Sequence, residues 1–213
     1  MICVSLKETN PEKLLRILKK IEFAEIRLDS MTVDVASVRD IFSQHSCLIA
    51  TCRPGLREDI ERKTLLLAAV EAGAAYVDIE VESDDTFKDA LVHESRRQGC
   101  KVIVSYHNLE RTPNRAELEK VLSWCFESGA DIAKIACKVR SERDNAQILG
   151  LLSDARPLVV IGMGHLGIIT RIVGPYLGSR FTYAALEEGK ETAEGQISKT
   201  QIEKILRRLN KDV

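Results

Sequence analysis

One pattern recurs along the whole chain: a short apolar run rich in β-branched residues, then turn residues, then an amphipathic helix. The strand-like runs fall at 2–6, 23–28, 47–53, 76–81, 101–107, 132–137, 158–163 and 181–186. The helical patterns lie between and after them, at 11–20, 34–42, 59–72, 86–98, 114–128, 142–152, 166–177 and 199–209. Asn10, the Thr112-Pro113 pair and Ser198 stand where helix N-caps are wanted. Strict alternation implies a parallel sheet with right-handed crossovers. Eight such units predict a closed (β/α)8 TIM barrel of the α/β class. The 213 residues are few for that fold, which typically takes about 250 and rarely fewer than about 200, so few insertions are expected. An open doubly wound sheet would show the same alternation. No linker or low-complexity stretch divides the chain, so 1–213 reads as one domain.

Composition narrows the function classes. Lys+Arg total 31 and Asp+Glu 32, a balance that argues against a nucleic-acid binder or a polybasic membrane-surface protein. The most apolar stretch, 158–178, is interrupted by His165, Arg171 and Pro175, and the N-terminus has no signal-peptide pattern. The six cysteines form no CxxC pair and sit mostly in apolar runs, which reads as reduced thiols of a cytoplasmic protein without a zinc site.

In a barrel the chemistry sits at the C-terminal ends of the strands. The informative polar residues are those a buried strand has no structural reason to hold. Glu25 and Arg27 share one face of the second strand, Arg53 ends the third, Asp78 and Glu80 share a face of the fourth, and His107 ends the fifth. Lys134 lies in the apolar run Ile-Ala-Lys-Ile-Ala of the sixth. Burying an ammonium is costly, so this lysine is expected to lose its proton easily and attack a carbonyl as a free amine. The competing reading pairs it with Asp78 or Glu80 as a core ion pair. Histidine as a residue type titrates near neutrality, which makes His107 a candidate for proton transfer. Arg27, Arg53 and Arg171 on one rim would favour an anionic substrate.

Gly162-Met-Gly-His-Leu-Gly167 matches GxGxxG after a strand, the spacing of a dinucleotide fingerprint. It follows the seventh of eight predicted strands, leaving too little chain for a dinucleotide-binding half. The glycines therefore read as a close strand-to-helix turn, with an anion nearby as an open alternative. The segment 187–195 lacks hydrophobic pattern and reads as a lid.

Glu25-Ile-Arg-Leu-Asp29, Ser105-Tyr-His107, Ala130-Asp-Ile-Ala-Lys134-Ile-Ala, Met163-Gly-x-x-Gly and Glu194-Gly-Gln-Ile-Ser198 occur in that order. Together they resemble the type I 3-dehydroquinate dehydratases over nearly the whole chain. The resemblance implies a (β/α)8 lyase of the shikimate pathway. Such an enzyme converts 3-dehydroquinate to 3-dehydroshikimate through a lysine Schiff base, with no cofactor and no metal. It implies Lys134 as the Schiff-base lysine and His107 as the proton shuttle. Ser5, Glu25, Ile26, Arg27, Arg53, Arg171, Thr192 and Gln196 would bind substrate, Arg171 taking its carboxylate. It further implies a homodimer, and in some lineages fusion to a shikimate dehydrogenase. One departure stands out. The family's histidine-orienting glutamate, four residues after the third-strand arginine, is replaced by Arg57, with Glu58 one position later. A class I aldolase would share the barrel and the lysine, and a nucleotide-dependent oxidoreductase would use the glycine motif.

Overall fold

The computed structural model describes residues 1–209. Its strands are β1 Ile2–Leu6, β2 Ala24–Arg27, β3 Leu48–Thr51, β4 Tyr76–Glu80, β5 Lys101–Asn108, β6 Ile132–Lys138, β7 Leu158–Met163 and β8 Thr182–Ala185. The helices are α1 Pro11–Leu18, α2 Val35–Ser43, α3 Asp59–Glu71, α4 Asp85–Gln98, α5 Arg115–Glu127, α6 Glu142–Gly150, α7 Ile168–Val173 and α8 Lys199–Leu209. The sheet runs β7-β6-β5-β4-β3-β2-β1-β8. The β1–β8, β2–β3, β3–β4, β4–β5 and β6–β7 pairs are parallel. At the two ends of that order, the Arg180 N–H leading into β8 donates to the Leu158 carbonyl of β7 at 2.8 Å. The fold is that of the (β/α)8 TIM barrel, as the alternation predicts.

Two compact units divide the chain. One comprises Met1–Ser5, Tyr106–Trp124 and the chain from Ile132 on; the other comprises Leu6–Ser105 and Cys125–Asp131. In the first, β7 is buried along its whole length and β6 everywhere but at Lys138. Uninterrupted apolar runs such as Leu-Val-Val-Ile are what strands covered on both faces require. In the second, β3 is wholly buried, and α3 sets Leu65, Leu66, Ala69 and Val70 in the core.

Local chemistry explains where the helices start. The Asn10 side chain accepts from the Lys13 N–H at 2.9 Å, with Pro11 in the first turn. Ser198 and Gln201 cap α8 reciprocally. Two expectations need correction. Thr112 does not cap α5: its hydroxyl donates to the Lys138 carbonyl, and Asn114 accepts from the Glu117 N–H instead. Nor is 166–177 one helix. Pro175 has no N–H to donate, so α7 stops at Val173 between the 3-10 turns His165–Gly167 and Gly174–Leu177. Among the described residues, no helix is long and apolar enough to cross a membrane.

Candidate active site

Lys134 occupies the middle of β6 between fully buried Ala133 and Ile135, and is itself 4% exposed. Its Nζ lies 4.5 Å from the centroid of the Tyr183 ring on β8. The negative face of an aromatic ring favours a cation at that nitrogen by about 0.5–2 kcal/mol. The carbonyl of the same Tyr183 accepts a hydrogen bond from Arg171 Nη1 at 3.3 Å. Arg171, on α7, is 1% exposed, and its Nε has no hydrogen-bond partner. Burial alone pushes its pKa down to about 10. Among the described residues no carboxylate pairs with it, and a guanidinium so removed from water is costly unless an anion reaches it.

The 187–196 segment, expected to form a lid, belongs to the same unit. Ser5, buried at the C-terminal end of β1, and Thr192 join hydroxyl to hydroxyl at 2.8 Å. The Thr192 N–H donates to Gln196 Oε1 at 2.8 Å, and the Gln196 N–H donates to the Ala193 carbonyl. Ser5, Thr192 and Gln196 are thus brought together. His107 sits half-buried near the end of β5, between Tyr106 and Asn108, whose side chains are linked at 3.0 Å.

In the other unit, Glu25 is buried on β2 and accepts from the Thr51 hydroxyl at 3.0 Å. Strand alternation puts fully buried Ile26 on the opposite face from Glu25 and Arg27. Arg27 grips Asp29 through two bonds, Nε to Oδ1 at 3.0 Å and Nη2 to Oδ2 at 2.7 Å. Asp29 also accepts from the Arg53 N–H at 3.2 Å. Burial pushes the Asp29 carboxyl up, but the bonds from Arg27 outweigh it and leave the carboxyl below its ordinary range. Arg53 reaches Asp78 with both terminal nitrogens, at 3.3 and 3.2 Å, and also Glu80 and Ser105. Burial works against its charge, yet Asp78 and Glu80 prevail and its pKa rises. Asp78 and Glu80 both hold Arg53. Arg57 bonds Glu61 and the Met31 carbonyl, while Glu58 stands exposed at the N-cap of α3 without a side-chain cap bond.

The glycine motif is a packing turn. The Gly162 N–H donates to Thr170 Oγ1 at 2.7 Å, the Gly164 N–H to the Glu194 carbonyl at 3.2 Å, and the Gly167 N–H to the Gly164 carbonyl at 3.0 Å. A Cβ on Gly167 would lie 2.4 Å from the Gly162 carbonyl. All three amides are committed inside the protein, which removes the donors a pyrophosphate would need. Sequence reasoning missed Tyr183. Its strand position predicts burial, but the ring's place over Lys134 depends on how β8 and β6 meet in space.

A sequence model of the Type I 3-dehydroquinase family matches residues 2–212. A 3-dehydroquinate dehydratase of Methanosarcina barkeri is 32% identical over 218 aligned residues, covering 92% of this chain and 90% of the relative. One from Methanocaldococcus jannaschii is 31% identical and covers 97% and 98%. The crystal structure of the Aquifex aeolicus 3-dehydroquinate dehydratase superposes with a TM-score of 0.83 at 30% identity, covering 98% of each chain. That of a Type I enzyme from Clostridium difficile, with covalently modified comenic acid, gives 0.87 at 26% identity and covers 100% of this chain and 92% of that one. With its fold and these relatives in agreement, the chain belongs to the Type I 3-dehydroquinase family.

Proposed function

We propose that this chain dehydrates 3-dehydroquinate to 3-dehydroshikimate through a Schiff base at Lys134, with residues 1–213 acting as one catalytic domain. The observation that carries the reading is Arg171, a fully buried guanidinium with an unsatisfied Nε, held by the residue whose ring lies over the Lys134 amine. That arrangement suits a substrate carrying both a carboxylate and a ketone.

The Lys134 amine adds to the C3 ketone, and loss of water from the carbinolamine gives an iminium. The iminium draws electrons from the adjacent C2, and His107 removes a proton there. The enamine then expels the C1 hydroxyl, which leaves as water with a proton from His107. Hydrolysis of the iminium frees the product and the amine. Arg171 fixes the carboxylate and so sets the ring's orientation. Ser5, Thr192 and Gln196 bind substrate as the lid closes, and Glu25, Ile26, Arg27 and Arg53 supply the remaining contacts that the family resemblance assigns. The small-molecule substrate is the only partner the chemistry requires. We also take the protein to be a cytoplasmic homodimer. The six free cysteines and the family tendency support this, and exposed Leu166, Ile169, Tyr176 and Leu177 supply apolar surface.

The test is ultraviolet absorbance at the enone band of the product after adding 3-dehydroquinate to the purified chain. Borohydride in the presence of product is expected to leave a reduced adduct on the Lys134 peptide. Lys134→Ala is expected to lose turnover and adduct while keeping its unfolding transition. Absence of enone formation by the intact chain would overturn the reading. Light scattering tests the dimer, which a monomer mass at micromolar concentration contradicts.

A further inference from the structure

Gly164, the middle glycine of the GxGxxG motif, meets the 187–196 segment at Glu194. The Gly164 N–H donates to the Glu194 carbonyl, while the Glu194 carboxylate pairs with Lys138 at the end of β6. Gly164 has a φ of +87°, and a Cβ there would lie 3.2 Å from Lys138 Nζ and 3.6 Å from Glu194 Oε1. Gly195, at φ +76°, would place a Cβ 2.3 Å from the Gly164 oxygen. Two glycine backbones therefore touch, and the missing side chains leave room for the ion pair beside them. The Lys138 end is fixed: its carbonyl accepts from Thr112 Oγ1 at 2.8 Å, and the next N–H, of Val139, donates to the Met163 carbonyl at 3.0 Å. The 187–196 segment is thus tied to the end of β6 and the turn after β7 through one residue, Glu194, by its backbone and its side chain together.

We propose that Lys138 and Gly164 are the seat of the 187–196 lid, and that the Lys138–Glu194 ion pair is a latch setting the fraction of lid closed. Both are positioning residues. The consequence for turnover rests on the dehydratase reading above; the latch itself does not. The two side chains are 29% and 66% exposed, so the pair is screened by salt. An exposed pair of this kind shifts an opening equilibrium by about two- to fivefold.

Hydrogen exchange of the ligand-free protein tests the latch, with the Thr192 and Gln196 amides as reporters because both donate inside the lid. Glu194→Gln and Lys138→Met are each expected to speed exchange about two- to fivefold. The double variant is expected to be no faster than either single one. Salt at about 0.5 M is expected to bring the parent to the variants' rate. The charge swap Lys138→Glu with Glu194→Lys is expected to recover protection lost in the singles. In steady state, the single variants are expected to raise KM for 3-dehydroquinate by the same factor, with kcat unchanged or higher. Additive effects of the two substitutions, or unchanged exchange, would overturn the latch. A parent chain that shows the exchange pattern but makes no enone would overturn the dehydratase reading and leave the latch standing.

Discussion

The Nζ of Lys134 lies 4.5 Å from the centre of the Tyr183 ring, whose face is turned toward the amine from β8. The same residue's carbonyl holds Arg171, so one position on β8 contacts both the Lys134 amine and the buried guanidinium. In the proposed mechanism the ring face would favour the cationic iminium over the neutral amine that precedes it. Tyr183→Phe keeps that face and is expected to hold turnover and borohydride trapping within about twofold of the parent. Tyr183→Leu removes it at a similar volume and is expected to lower trapping at subsaturating product by about three- to thirtyfold. Intact-mass titration of the reduced adduct measures the effect, and equal trapping in the leucine variant would show that the ring only fills space.

The proposed mechanism predicts that proton transfer separates from adduct formation at His107. His107→Ala is expected to reduce kcat by about a hundred- to ten-thousandfold, the usual contribution of a positioned acid–base. Lys134 retains its amine in that variant, so borohydride still traps a species of the adduct mass. Parallel measurement of enone production and trapped mass distinguishes the two roles. Normal turnover in the alanine variant would remove the histidine from the mechanism.

The role proposed for Arg171 sets function against stability. Its charge is buried among the described residues with a backbone carbonyl as its hydrogen-bond partner and Nε unsatisfied. Arg171→Met is expected to gain about 1–3 kcal/mol in urea unfolding at neutral pH, because an apolar side chain replaces a desolvated cation. The same variant is expected to raise KM at least about tenfold, from loss of a charge-assisted contact. The sign with pH follows from the lowered value of about 10. The burial cost is full below that pH and eases as pH rises through it, so the stability gap between variant and parent narrows there. A methionine variant that loses stability at neutral pH would mark the guanidinium as a structural group.

The strands were legible because each is a short apolar run bounded by turns. The runs at 2–6 and 158–163 match β1 and β7 end to end. β2, β3, β4 and β8 lose one or two residues at one or both ends of their runs, while β5 and β6 each extend one residue further. The seventh helix was not legible at its true length, because Ile-Ile-Thr-Arg-Ile-Val continues an apolar period into Gly174-Pro175 and only the missing proline donor reveals the stop. In the site, Lys134 declared itself as a charge in a buried strand. Tyr183 did not, because an aromatic residue on a strand is ordinary core by pattern. The Lys138–Glu194 pair spans 56 residues, and no local spacing joins its two ends. The GxGxxG motif announced a tight turn, but its reason lies in Thr170 and Glu194, which lie outside the motif.

Asp29 makes the Arg27 geometry sensitive to acid. Its carboxylate takes two bonds from the Arg27 guanidinium and one from the Arg53 N–H, and together they outweigh burial and hold its pKa below the ordinary value. A carboxyl lowered in the folded state contributes stability above its unfolded value of about 4, and that contribution disappears as pH falls through the folded value. Asp29→Asn removes the contribution at every pH. The variant is therefore expected to be less stable than the parent by about 1–3 kcal/mol at neutral pH. The difference is expected to shrink once the pH drops below about 4. Urea unfolding of both proteins over about pH 3 to 7 reads the gap directly. Because Arg27 and Arg53 both lean on this carboxylate, KM for 3-dehydroquinate is expected to rise in the same variant. A stability gap that stays constant down to the lowest pH would show that the loss comes from packing and that the charge of Asp29 contributes nothing to it.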